Sequence, residues 1–166
     1  MLALILVLVG LIFRFIPHLA NFTPILAIAL FGGVYLDKKY AIVVPVFLMM
    51  LTDLFLGMHN TIAFTWGTVM LVTGLGILLR EKKNALNISI GALSSAVIFF
   101  VVTNFGVWLM GWYPRTLSGL ISCYTLAIPF FRSTLISTLV FSFVFFGVYE
   151  IVARKVKGTS LAHSLL

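Results

Sequence analysis

Charge is what this chain has least of. Only 9% of its 166 residues are charged, and only four are acidic. A soluble domain carries about 25% charged residues, so a freely soluble globule is excluded. Cysteine is nearly absent too. The single thiol, Cys123, cannot form an internal disulfide, so it fixes no redox compartment. The chain contains no phosphate-cradling P-loop, no H-E-x-x-H and no G-x-S-x-G. Catalysis therefore has no positive support, and the chain reads as a non-enzyme. Any transport it serves would draw on a gradient or on another chain. No cofactor is legible. Low-complexity segments, linkers and repeats are missing as well, so residues 1–166 read as one domain.

What is present is apolar. The chain is 62% hydrophobic, against a usual 45–50%, and its mean hydropathy is +1.20. These values predict an all-α, polytopic membrane protein whose first partner is the lipid bilayer. The formal charge of +7 is clustered beside apolar runs, as topology signals are, and gives no reason to invoke nucleic acid. The N-terminal MLALILVLVGLIF lacks a basic leader, and no small-x-small cleavage site precedes PHLANFTP, so it reads as a retained first span.

Six spans are expected: Leu2–Ile16, Pro24–Leu36, Tyr40–Gly57, Thr61–Leu79, Ala85–Met110 and Thr134–Ala153. A straight crossing needs about 20 residues. The first two are short, and the fifth is long enough to tilt. Lys38-Lys39, Arg80-Glu81-Lys82-Lys83 and Arg154-Lys155-x-Lys157 then share one side, which the positive-inside rule makes cytoplasmic. The expected location is the inner (cytoplasmic) membrane, with both termini in the cytoplasm. The other side collects Arg14–Thr23, Met58-His59-Asn60 and the Trp112–Ser118 turn, a set better suited to recognition than to anchoring.

The stretch Thr103–Phe131 passes an aromatic turn, Gly111-Trp112-Tyr113-Pro114-Arg115, and the cysteine, and re-enters apolar sequence at Pro129. It reads as neither a plain span nor a plain loop, with Leu117–Phe131 expected to add a short, half-inserted helix, and irregular backbone survives at membrane depth only where it is buried or lines a cavity. It is expected to wall a ligand site. Asp53 lies within a span, where a carboxylate costs about 2.5–3.5 kcal/mol. It is expected either to pair with Arg14 or Arg132 or to meet a ligand. Thr23 or Asn21 can cap a helix opening at Pro24, which leaves Arg14 and His18 unexplained. His18 and His59 without a third ligand do not make a metal site. Asn104, Trp108 and Trp112 recur at helical spacing, either as a ligand-facing stripe or as part of the interfacial aromatic belt. Arg115 can bind an anion or anchor at headgroups. The candidate ligand-binding residues are therefore Arg14, His18, Asn21, Asp53, His59, Asn104, Trp108, Trp112 and Arg115, at the outer ends of spans one, three and five and along the Trp112–Phe131 connection. Small residues at Ala29-x-x-x-Gly33 allow close helix approach, either inside the bundle or against a partner subunit.

The segments RxxPHxxNFTPxxAxALFGG (Arg14–Gly33), TDLxLGxHN (Thr52–Asn60) and TNFGVWxxGWYPxTxxGLxxCYxxAIPFF (Thr103–Phe131) resemble a domain-of-unknown-function group of small bacterial membrane proteins. More distantly, the six-span layout resembles the substrate-binding S components of energy-coupling-factor vitamin transporters. That resemblance implies an S-component-like bundle capturing a vitamin-like molecule near the outer face. It also implies an early Ala-rich motif, here Ala29-x-x-x-Gly33 with Gly in place of the second Ala, that docks a transmembrane coupling subunit served by ATPases. Relatives that handle cobalamin place a cysteine near the cobalt, and Cys123 invites that comparison. Uptake of a small molecule is the leading expectation. An accessory subunit of a larger membrane complex is the alternative, and a membrane enzyme or haem protein comes third.

Overall fold

The computed structural model describes residues 1–16, 19–159 and 161–165. Over these residues the chain is helical: α1 (Leu2–Ile12), α2 (Ile25–Tyr35), α3 (Val43–Leu56), α4 (Ile62–Leu79), α5 (Ala85–Leu109), α6 (Leu117–Val156) and the short α7 (Ala162–Leu165).

The bundle is built around α2. Every residue from Ile25 to Val34 is buried, the expected state of a helix that is apolar on all faces. It packs on α1, α3, α4, α5 and α6. Ala29 has no exposed surface. A Cβ on Gly33 would collide with the backbone carbonyl of Thr73, and one on Gly76 with the carbonyl of Leu30, so α2 and α4 touch backbone to backbone. Ala29 and Gly33 therefore serve packing within the chain and have no surface to offer a partner subunit. Phe31 anchors an aromatic cluster with Tyr35, Phe145, Phe146 and Tyr149.

Three helices, α4, α5 and α6, are long and apolar enough to cross a membrane. The other three expected spans correspond to α1, α2 and α3, of 11, 11 and 14 residues, well short of the roughly 20 needed. Polar connections cut them off. Apolar side chains cover the outside of the molecule, from Leu4 and Leu8 on α1 to Val144 and Ile151 on α6, which is the surface a bilayer requires.

The largest departure from expectation is α6. Leu117–Phe131 is helical but not a separate short or half-inserted piece: it is the first part of one 40-residue helix that runs through Pro129. At 1.5 Å per residue it is about 60 Å long, twice the hydrocarbon thickness. Thr116 opens it by accepting from the Gly119 N–H at 3.1 Å, and Asn84 caps α5 in the same way through the Asn87 N–H at 2.8 Å. At α2 the expected capping by Asn21 or Thr23 does not occur. Pro24 is itself the cap residue, with no side-chain cap bond.

One end of the molecule gathers the basic segments and both termini. The N-terminal amine donates to the Leu165 carbonyl at 3.1 Å. The Lys83 ammonium sits 4.6 Å above the Tyr35 ring, and Tyr35 lies 3.9 Å from Tyr149. Arg80 donates to the Gly33 and Leu36 carbonyls at 2.7 and 2.6 Å, closing the C-terminus of α2.

Gly33→Ala is expected to destabilise the bundle by about 1–3 kcal/mol, the usual cost of overpacking. Gly74→Ala, where an added Cβ meets nothing within 4 Å, should be neutral. Thermal midpoints in detergent distinguish the two, and equal midpoints would contradict the close α2–α4 approach.

Candidate functional site

At the end opposite the termini the short helices stop, and a cavity of about 520 Å³ opens among α4, α5 and α6. Its walls follow helical spacing. Helix α5 contributes Phe99, Phe100, Thr103, Asn104 and Val107, and α6 contributes Cys123, Leu126, Ala127, Phe130, Phe131 and Thr134. The segment before α4 adds His59, Asn60 and Thr61, the first turns of α4 add Thr65, and the α5–α6 turn adds Trp112 and Tyr113. Asn21, in the α1–α2 connection, completes the lining. It adopts a left-handed φ of 58°, which Asn tolerates better than most residues, and its carbonyl accepts from the Ser137 hydroxyl at 3.4 Å.

Four of the nine expected ligand residues, Asn21, His59, Asn104 and Trp112, line this cavity. Asn104 donates to the Phe100 carbonyl at 2.7 Å. His59 meets the Thr61 hydroxyl at 3.0 Å through Nδ1. His18 lies outside the described residues.

Arg14 and Asp53 do not line the cavity. They form an ion pair at 2.5 Å, with side chains 12% and 3% exposed. Arg14 also donates to the Met49 carbonyl at 3.3 Å and to the Thr52 hydroxyl. Trp66 Nε1 donates to the other Asp53 oxygen at 2.8 Å. Of the two basic partners expected for Asp53, Arg14 and Arg132, the geometry shows Arg14. Both carboxylate oxygens are thereby engaged. The node ties the end of α1 to α3 and, through Trp66, to α4.

Trp108 and Arg115 also fall outside the cavity. Trp108 Nε1 donates to the Pro114 carbonyl and Arg115 Nη2 to the Leu109 carbonyl, both at 3.0 Å. Together they fix the α5–α6 turn. The expected Asn104–Trp108–Trp112 stripe does not exist, because α5 ends at Leu109 and Gly111 turns the chain with φ 84°. Trp112 thus enters from the turn rather than from the helix. Of the outer end expected from span three, His59 reaches the cavity from the α3–α4 connection, while Asp53 is taken up by the ion pair.

Several lining residues outside the expected Thr103–Phe131 wall were not singled out from sequence: Thr65, Phe99, Phe100 and Thr134. Their signal is periodic. Residues 123, 126, 127, 130, 131 and 134 share one face of a helix, legible once Leu117–Thr134 is read as a helix. Trp66 could have been sought as the donor that a carboxylate within a span requires. Among the described residues no group of three or more His, Cys, Asp or Glu side chains is placed to hold a metal.

A model of a family of unknown function, DUF6580, matches residues 1–161. No curated protein and no solved structure matches the chain.

Replacing one member of the buried pair strands the other. Asp53→Leu is expected to cost about 3–5 kcal/mol, and adding Arg14→Met should recover most of it. Thermal unfolding of the two single variants and the double variant in detergent checks this. A neutral Asp53→Leu would show that the pair does not hold the helix ends.

Proposed function

The chain belongs to the family of unknown function DUF6580, and on that premise we propose that it is a membrane-embedded binding protein that captures a small molecule at the outer face for uptake. The observation that carries this reading is the cavity among α4, α5 and α6. Its volume lies within the roughly 300–1,000 Å³ of ordinary ligand sites. It is lined by apolar and aromatic side chains with a few amides and hydroxyls, which is the composition such sites have. The α3–α4 and α5–α6 connections both reach it, so its mouth lies at the end away from the basic segments.

The orientation follows from charge. Lys38, Lys39, Lys82, Lys83, Arg154, Lys155 and Lys157 belong to the end that carries both termini, and the positive-inside rule assigns that end to the cytoplasm of the inner membrane. In this reading α1, α2 and α3 span a thinned or protein-covered part of the bilayer, so that six helices alternate in direction as in an S-component-like bundle. The protein is not an enzyme. With no ATPase motif in the chain, uptake requires a gradient or a coupling subunit with ATPases. Such a subunit would meet the lipid-facing surface, since Ala29 and Gly33 are internal.

The second reading, an accessory subunit of a larger membrane complex, is favoured by the extensive exposed apolar surface. Lipid covers such a surface equally well.

Native mass spectrometry on protein extracted gently from its membrane tests the proposal. A stoichiometric small molecule is expected on the wild-type chain. It should be absent from Ala127→Phe, which fills the cavity from the α6 wall, while circular dichroism shows the helix content unchanged. A reproducible set of other membrane subunits with no small molecule would overturn capture in favour of the accessory role.

A further inference from the structure

The cavity lining specifies a class of ligand, and this inference rests on the capture reading above. Among the described lining residues none is Asp, Glu, Lys or Arg. The nearby charges, Arg14 and Asp53, neutralise each other and are held by Trp66 and Thr52. Among the described lining residues a cation would find no carboxylate and an anion would find only the His59 ring, and the effective penalty for an unpaired desolvated ion is several kcal/mol.

The threonine hydroxyls of the helical walls are also one-sided. A threonine hydroxyl has one proton to donate and lone pairs to accept with. Thr65 donates its proton to the Ile62 carbonyl at 2.8 Å, Thr103 to Phe99 at 2.7 Å and Thr134 to Phe130 at 3.0 Å. Such bonding back to the preceding turn is common for hydroxyls within helices. The Cys123 thiol is directed to the Asn104 carbonyl at 3.4 Å. Asn104 commits one N–H to Phe100 at 2.7 Å, and its side-chain oxygen accepts from no described residue. The buried threonines and the Asn104 oxygen therefore offer acceptors at depth, beside the one remaining Asn104 N–H. The rings of Phe100 and Phe131, in contact at 4.9 Å and tilted by 50°, each supply an aromatic face beside them.

We propose that the cavity selects an uncharged, planar aromatic molecule that carries N–H or O–H donors on its edge, with the Asn104 side-chain oxygen as the principal acceptor.

Four probes that share one ring system test this: indole, 1-methylindole, indole-3-acetate and tryptamine. Saturable binding is measured to the full-length protein in lipid nanodiscs, with empty nanodiscs subtracted for partitioning. Indole is expected to bind, and 1-methylindole about tenfold more weakly, the equivalent of one matched hydrogen bond. The two ions should bind more weakly than indole. Asn104→Leu should abolish the preference for indole over its methyl derivative. Thr103→Val serves the same purpose, with a smaller loss expected, if Asn104→Leu fails to fold.

Equal affinity for indole and 1-methylindole would overturn the donor requirement. Tightest binding by either ion would overturn the neutrality claim. In both cases saturable binding that disappears in Ala127→Phe would leave the capture reading standing. Absence of saturable binding by all four probes would overturn the ligand class, while capture is judged separately by whether a molecule co-purifies from the native membrane.

Discussion

The buried pair of Arg14 and Asp53 is the constraint on which the non-basic half of the molecule depends. A carboxylate this deep in an apolar bundle must be neutralised or moved. Here it accepts from an arginine on one side and an indole on the other, so both charges are compensated within three elements. The pair fixes where α1 ends, since Arg14 must reach the Asp53 carboxylate, the Thr52 hydroxyl and the Met49 carbonyl together. It also fastens α3 to α4 through Trp66. The connection that follows Arg14 then carries Asn21 to Ser137 on α6, at the inner limit of the cavity. A structural ion pair thus sets the boundary between a closed half of the bundle and an open one.

The closed half is dense because α2 is small along its contact with α4. Gly33 and Gly76 bring two backbones together, and Phe31 fills the space towards α6. The open half exists because helix lengths are mismatched. Helices α1, α2 and α3 end after 11, 11 and 14 residues, whereas α5 and α6 continue. Beyond the short helices, α5 and α6 present to each other a face of aromatic residues, threonines and one amide. Polar side chains bonded back to their own helices can be held there without filling the space between.

Much of this was legible in the sequence, for identifiable reasons. The all-helical fold and the segregation of basic segments follow from hydropathy and charge. The expectation that Asp53 would need a basic partner, with Arg14 as one of two choices, follows from the cost of an isolated ion in lipid. The Thr103–Phe131 stretch does run along the cavity, supplying more than half of the lining. What could not be read was set by tertiary context. Pro129 and the polar residues Ser118, Ser122 and Thr125 made Leu117–Phe131 look like a separate short helix. Yet their hydroxyls bond to neighbouring groups or to the preceding turn, and the helix continues. Trp108 and Arg115 looked like ligand contacts, but the turn between α5 and α6 needs them to satisfy the carbonyls of Pro114 and Leu109. The small-residue motif Ala29-x-x-x-Gly33 gave no indication of which helix it meets, and α4 of the same chain proves to be the neighbour.

The most direct measurement is a cryo-electron-microscopy map of the protein taken from its native membrane in complex with a rigid antibody fragment. Capture at the outer face predicts a compact, flat, non-protein density beside the Phe100–Phe131 ring pair, in contact with Asn104. A cavity closed by side chains or threaded by a lipid tail, with the outer face covered by other membrane subunits, would contradict it.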